Sequence, residues 1–309
     1  MTHLDYLNKN YPTRKSEEEK ERFRKYIVEM LSDKGIEARV EQTRDGKNKN
    51  VVVGDPTSAK AVFTAHYDTP ARSLFPNIMI PKNRFVFWPY QFVPVIFLLV
   101  VSLALSYLIG MVWLKDDRAY MLSFLIIYYG VFFLMMKAFK NPNNYNDNTS
   151  GVATVLKIID NLSPDELEGV AFILFDNEEK GKKGSAAYAK DHKGNMDDPF
   201  LVNFDCVGNG DHIVFIAQAR ALSANKYVKL QESFESTDAF TVEFCSHEKA
   251  SSNSDHKNFR KGVACLACKR AKSGLLYTPY IHTPDDVVAN NGNIDFIAKN
   301  TCVFIRKIR

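Results

Sequence analysis

Val170-Ala171-Phe172-Ile173-Leu174-Phe175-Asp176-Asn177-Glu178-Glu179 is a run of six apolar residues that stops where the acids begin. An unbroken apolar run of this length, without polar alternation, fits a strand buried on both faces, as in a parallel sheet covered by helices. Three other segments have the same form. Ala61–Ala65 ends in His66-Tyr67-Asp68, Phe200–Phe204 ends in Asp205, and Leu275–Ile281 leads into His282. Helical stretches separate these runs. Ser16 and Glu19 form a capping box ahead of Phe23, Ile27, Met30 and Leu31 at helical spacing, and Gly35 stops that helix. Thr149 and Ser150 open a helix with Val152, Val155, Leu156 and Ile159 on one face, and Ile294–Ile308 reads as a terminal amphipathic helix. Strands alternating with helices predict an α/β fold: a doubly wound, mainly parallel central sheet flanked by helices.

One segment breaks this pattern. Phe85–Leu114 and Ala119–Met136 contain no charged residue, and only Lys115-Asp116-Asp117-Arg118 separates them. Val93–Leu114 and Ala119–Met136 would measure about 33 Å and about 27 Å as helices, close to the ~30 Å hydrocarbon core of a bilayer. Neither shows the polar stripe of an ordinary core helix. The expectation is a two-helix transmembrane hairpin at residues 85–140, inserted into a discontinuous α/β domain at 1–84 and 141–309. Lys82, Arg84, Lys137 and Lys140 flank the spans on the catalytic side, against Lys115 and Arg118 at the tip, which favours a cytoplasmic catalytic domain. Met1–Lys15 has no apolar segment of the signal-peptide kind.

Bulk composition narrows the function classes. The chain has 309 residues, 46% apolar and 25% charged, with a formal net charge of +4. Its lysines and arginines are interspersed with acids rather than gathered in a stripe, which argues against a nucleic-acid binder. Five cysteines without a framework spacing argue against a disulfide-built secreted domain. Cys265-x-x-Cys268 lacks a second pair to make a zinc knuckle, and its run Val263–Cys268 reads as a buried strand with core cysteines.

The charged residues at the strand ends carry the chemistry. In an open parallel sheet the ligand site lies beyond the carboxyl ends of the strands. His66, Asp205, the pair Glu178-Glu179 and His282 should therefore converge on one rim, joined by Asp147 at the start of the Thr149 helix. Imidazole and carboxylate are zinc ligands, and two divalent ions side by side need a bridging carboxylate with capping ligands on either side. His66, Asp147, Glu179, Asp205 and His282 can supply that set. Without a cation so many acids together would repel strongly.

In order, His66-x-Asp68, Asp147-Asn148-x-x-Gly151, Glu178-Glu179, Asp205 and His282 resemble the co-catalytic zinc aminopeptidases of the bacterial leucyl aminopeptidase and aminopeptidase Y type. Glu179-Lys180-Gly181-x-x-Gly184-Ser185 and Ser254-Asp255-His256-x-x-Phe259 resemble further elements of that family, and the likeness covers all but Phe85–Lys140. It implies two zinc ions, although ligand type alone leaves cobalt and manganese open. Asp147 would bridge them, His66 and Asp205 would complete one site, and Glu179 and His282 the other. Glu178 would be the general base and Asp68 would orient His66 by accepting its free N–H. A cis Asp147–Asn148 peptide is also implied. Asp255 and His256 would line the substrate pocket, the other reading being that Ser254 and Asp255 cap a short helix. Tyr280, or Tyr277, is placed to donate to the oxyanion. The implied function is a membrane-anchored zinc exopeptidase, of aminopeptidase type, acting on peptides. Two alternatives stand beside it: a single-zinc glutaminyl-cyclase-like acyltransferase, and a non-catalytic membrane receptor on a peptidase fold. Peptide specificity and oligomeric state are left open.

Overall fold

In the computed structural model, residues 1–73, 77–137, 139–194 and 199–309 are described. The chain opens with α1 (His3–Asn10) and α2 (Glu17–Ser32), then strands β1 (Ala38–Gln42), β2 (Lys49–Val53), β3 (Ala61–His66) and β4 (Asn77–Met79). Helix α3 (Arg84–Tyr107) continues through a π-helical segment, Leu108–Leu114, to a tip, and α4 (Asp117–Lys137) returns. There follow α5 (Gly151–Asn161), α6 (Pro164–Leu167), β5 (Val170–Phe175), α7 (Lys183–Asp191), β6 (Phe200–Phe204) and β7 (His212–Ala217). The chain ends with α8 (Ala219–Leu222), α9 (Asn225–Gln231), β8 (Thr241–Ser246), β9 (Gly262–Arg270), β10 (Leu276–Ile281) and α10 (Asn291–Ile308).

The ten strands form one sheet with helices on both faces. Side chains of a strand alternate between faces, and the core divides accordingly. Ala61, Phe63 and Ala65 of β3 and Val170, Phe172 and Leu174 of β5 pack with α2, α5 and α10, whereas Val62, Ala171, Ile173 and Phe175 pack with Tyr188 of α7 and Phe259. The two faces explain why these strands show no polar alternation. Cys265 and Cys268, three apart on β9, fall on opposite faces, so they share no knuckle, and all five cysteines are buried thiols.

The expectation of a mainly parallel sheet needs correction. Only the centre is parallel: β5, β3, β6 and β9 run together, as do β7 and β8. The pairs β1–β2, β2–β5, β7–β9, β9–β10 and β10–β4 are antiparallel. Short turns account for part of this, since β1–β2 and β9–β10 are hairpins and an antiparallel partner needs no crossover helix.

Helices α3 and α4 stand as an antiparallel pair outside the sheet, one crossing the other closely at the tip. A Cβ on Gly110 would lie 2.3 Å from the Tyr120 backbone, so only glycine admits that approach. Leu98 is buried, while Phe92, Ile96, Val100 and Trp113 are more than half exposed. Among the described residues one helix, Phe85–Leu114, is long and apolar enough to cross a bilayer. The side chains of Arg84 and Lys137, two of the flanking charges, lie outside the described residues.

The roots of this pair are tied to the edge of the sheet. Strand β4 pairs with β10, Ile281 opposite Asn77 and Thr278 opposite Met79. The Ser73 N–H donates to the carbonyl of His282 at 2.7 Å. On the return side, Lys140 bridges to Ala71, the Arg72 N–H donates to Phe139 O, and Lys140 pairs with Glu19 at 2.6 Å.

Candidate active site

Every strand that leads to the site stops at the same rim. His66 is the last residue of β3, and Asp205 and Glu178 follow directly on β6 and on the turn after β5. Asp147 lies on the loop Tyr145–Ser150, whose Asp147–Asn148 peptide is cis. The Asn148 side chain fastens that loop, donating to Phe204 O and accepting from the N–H groups of Gly151 and Cys206. A Cβ on Gly151 would come within 2.4 Å of Phe204 O, a physical reason for the spacing Asn148-x-x-Gly151. Asn177, Lys182, Cys206, Tyr280 and His282 are all non-glycine residues in the left-handed region, and all lie at this rim. Such backbone persists where surrounding structure holds it, and it collects at functional sites.

His66 Nε2 lies 3.4 Å from Asp147 Oδ1 and 3.6 Å from Asp205 Oδ1. His282 Nε2 lies 3.0 Å from Asp147 Oδ2 and 3.5 Å from Glu179 Oε2. Asp147 thus turns one oxygen to each group, and the five side chains resolve into two triads, His66–Asp147–Asp205 and Asp147–Glu179–His282, that share it. Two ligand atoms on a tetrahedral zinc, each about 2.0–2.2 Å from the ion, stand roughly 3.3–3.6 Å apart. Three of the four spacings fall within that range. Glu179 Oε1 is buried and makes no hydrogen bond among the described residues, a cost that a cation would remove. The residues present therefore fit a metal centre by donor type, by spacing and by an orphaned oxygen.

The electrostatics of the donor set follow from burial and from its own charges. Burial alone would lower the His66 pKa, but hydrogen bonds with Asp147, Asp205 and Asp68 hold it well above the ordinary histidine value. Burial likewise opposes ionisation of Asp147, yet His282 and His66 outweigh it and keep the carboxyl below its usual range. Glu179 is pushed up to about 8, chiefly by burial, with the Asp147 charge adding to it. Glu178 is raised well above its usual value by burial and by the acids Asp255, Glu179 and Asp205. Raised carboxyls around a charged core are what excess negative charge produces before a cation offsets it.

Asp68 holds the rim together differently from expectation. Its two oxygens accept the backbone N–H groups of Glu178 at 2.9 Å and Glu179 at 3.1 Å. His66 Nδ1 is nearer the Asp68 backbone carbonyl, at 3.2 Å, than its carboxylate, at 3.6 Å. Asp68 therefore places the glutamate pair, and its main chain faces the His66 ring. Asp255 and His256, expected on the substrate wall, are fully buried beneath the site instead. Asp255 accepts from Ser185 Oγ at 2.5 Å, and both ring nitrogens of His256 make no hydrogen bond among the described residues. Burial foremost drives His256 down to about 3 and lifts Asp255 to about 7. Tyr280 is half exposed and does not line the cavity; its carbonyl accepts from Thr283, closing the turn that presents His282.

Two contributors are absent from the sequence reading. Arg14, fully buried, donates to Tyr67 O at 2.5 Å, Tyr11 O at 2.7 Å, Thr149 Oγ1 at 2.9 Å and Asn144 Oδ1 at 3.2 Å. It locks the His66 strand end to the Asp147 loop. Asp286 accepts the N–H groups of Asn146 and Asp147, both at 3.0 Å, and so fixes the shared carboxylate from behind. An acid four residues after His282 was the only signal for the latter; Arg14 carried none.

The centre opens into a cavity of about 540 Å³. Its lining holds polar side chains, among them Glu178, Lys182, Asn253 and Lys257, and apolar ones, some of them on α3.

Residues 139–305 match the profile of peptidase family M28, a range that holds Asp147, Glu178, Glu179, Asp205 and His282 and begins after the helical pair that separates off His66 and Asp68. Curated proteins gave no match. Among solved structures, the LapA aminopeptidase of Legionella pneumophila is similar with a TM-score of 0.59 at 14% identity, over 99% of this chain and 69% of that one. A Zn-dependent exopeptidase from Parabacteroides distasonis gives 0.62 at 14% identity, over 98% and 96%. The glutaminyl cyclase of Porphyromonas gingivalis gives 0.60 at 12% identity, over 99% and 97%, so the fold is shared with an enzyme of another reaction class. With more than half its length matched to that one family, the chain belongs to peptidase family M28 and is a zinc metallopeptidase.

Proposed function

We propose that this protein is a membrane-anchored aminopeptidase that works with two metal ions, zinc foremost and cobalt or manganese as substitutes. The division of the Asp147 carboxylate between His66 and His282 carries the two-ion reading. His66, Asp147 and Asp205 would hold one ion, and Asp147, Glu179 and His282 the other. Bound there, divalent cations polarise a scissile carbonyl and acidify water at neutral pH. Glu178, on the cavity wall within reach of His66 and Glu179, takes a proton from the attacking water and delivers it to the leaving amine. Asp68 keeps that carboxylate placed by holding its backbone N–H.

Residues 1–84 and 141–309 form the catalytic unit and residues 85–140 the membrane hairpin. One apolar helix long enough to span supports the anchor. His66 and Asp147 lie on opposite sides of the insert in sequence and 3.4 Å apart in space, so an even number of crossings is required. We assign α4 as the return span and the catalytic unit to the cytoplasmic side. Anchoring favours peptides at the bilayer surface. A lipid-partitioning peptide should be cleaved faster than a soluble one with the same N-terminal sequence; equal rates remove that preference.

The test of the main reading uses full-length protein in detergent with amino-acid coumarin amides and N-terminally blocked peptides, assayed with and without chelator. Free N-termini are cleaved, blocked ones are not, chelation abolishes turnover, and metal analysis gives two ions per chain. One ion per chain with cyclisation of N-terminal glutamine would replace it by the glutaminyl-cyclase reading.

A further inference from the structure

Part of the apolar lining of the cavity belongs to the inserted helix. Phe87, Trp88 and Gln91, in the first turns of α3, face the same cavity as His66, Glu178 and His282. Phe87 and Trp88 pack edge to face, with ring centroids 5.6 Å apart. They are not filling the core, because Trp88 is 57% exposed. This first turn is also held in place. Asn83 Oδ1 caps it by accepting the Val86 N–H at 3.1 Å, and the Ser251 N–H donates to Pro81 O at 2.8 Å, fastening the approach to α3 to another residue of the cavity lining.

We propose that Phe87 and Trp88 are specificity-determining residues that receive a large apolar side chain of the substrate, next to the bond that is cut. This rests on the peptidase function proposed above and adds the element that selects the substrate. The chemistry of the lining assigns the occupant. A peptide is polar along its backbone, and the bonded pair Lys182–Asn253 and Lys257 give the cavity a polar lining that suits it. Met79, Phe87, Trp88 and Ile281 add apolar surface to the same cavity, with the Gln91 amide and the Trp88 indole N–H as polar groups beside it. A leucine- or phenylalanine-sized group buried against this wall gains apolar contact that an alanine cannot make. One to a few methylenes in such a pocket discriminate by about 10–200-fold. The wall is the start of the spanning helix, so the membrane element and the pocket are one piece of structure. Tryptophan is favoured at the membrane–water boundary, and Trp88 stands where the apolar helix leaves the catalytic unit.

The chain has two tryptophans, Trp88 and Trp113, and Trp113 lies at the far tip, 80% exposed. W113F therefore leaves Trp88 as the sole indole reporter. The zinc-loaded full-length W113F protein in nanodiscs is titrated with leucine hydroxamate and alanine hydroxamate, with calorimetry on the same samples. Trp88 emission should change saturably with leucine hydroxamate, and alanine hydroxamate should bind about tenfold more weakly. F87A and W88A should bring the two dissociation constants, read by calorimetry, to within about threefold of each other, W88F should restore the gap, and V112A at the tip should leave it intact. Hydroxamates that bind while Trp88 stays silent and F87A leaves the gap unchanged would overturn the wall and leave the peptidase standing. Hydroxamates that bind neither protein nor metal centre, together with no hydrolysis by the wild type, would overturn both.

Discussion

Glu178 and Asp147 sit within one small centre, and substitution separates the roles proposed for them. Glu178→Gln keeps the shape and the metal donors and removes the base. We expect kcat to fall by about 10²–10⁴-fold with metal content unchanged. Asp147→Asn takes the charge from the shared carboxylate, so metal content itself should fall, together with activity. Retention of both metals in Asp147→Asn, measured by elemental analysis, would break the bridging assignment. His66, Asp147, Glu179 and Asp205 were legible in the sequence because each stands where an apolar run halts or a helix begins, and the ends of parallel strands share a rim. His282 follows β10, which is antiparallel to β9, and it reaches the same rim because β9 runs on to Arg270, beyond Cys265 at the level of Phe204. Arg14 was not legible. Its partners lie at Tyr67, Asn144 and Thr149, and nothing local marks an arginine that will be enclosed by segments 53–135 residues away. Asp255 and His256 show the converse: the motif was visible, but their depth below the cavity depends on how the chain from β8 to β9 packs against α7.

At the scale of elements, the capping box of α2 came directly from Ser16 and Glu19, and the structure adds a task to it. Glu19 accepts the Ser16 N–H at 2.9 Å and Thr13 Oγ1 at 2.8 Å, and it pairs with Lys140 where α4 re-enters the catalytic unit. Burial opposes its charge, but the Lys140, Ser16, Thr13 and Lys15 contacts prevail and lower its pKa to about 2. A carboxyl depressed in the folded state stabilises above its unfolded pKa, and that contribution is lost as pH falls through the folded value. Glu19→Gln should therefore cost about 1–2 kcal/mol at pH 7. The gap should narrow from about pH 4.5 downward and close near pH 2, read from thermal midpoints in detergent. A gap that persists at pH 2 would refute the assignment to charge. Other elements escaped the sequence for a shared reason. Strand β4 is three residues long and exists only because β10 offers an edge. The antiparallel flanks of the sheet follow from pairings that the period of the apolar pattern does not encode.

For the whole molecule, orientation is open to direct measurement because all five native cysteines are buried. A single Lys115→Cys at the hairpin tip supplies an exposed thiol. With the catalytic unit cytoplasmic, a membrane-impermeant maleimide added to intact cells labels that thiol; labelling only after lysis reverses the orientation. The α/β class and one long apolar helix were legible, since uninterrupted apolar runs of about six and about twenty residues mark buried strands and helices long enough to span a bilayer. The joint between them was not. No local pattern shows that Phe87 and Trp88 would face the same cavity as His66 and His282.

The position of the insert sets an order of assembly during synthesis. His66 leaves the ribosome before the hairpin, and Asp147, Glu179, Asp205 and His282 leave after it. With two crossings, a nascent chain that fails to complete the second one strands His66 on one side of the membrane and its four companions on the other. On the two-span arrangement proposed above, hydrolytic competence becomes a receipt for correct topology: a chain wrongly threaded by the insertion machinery would be inert from the start, and could not digest peptides in the wrong compartment.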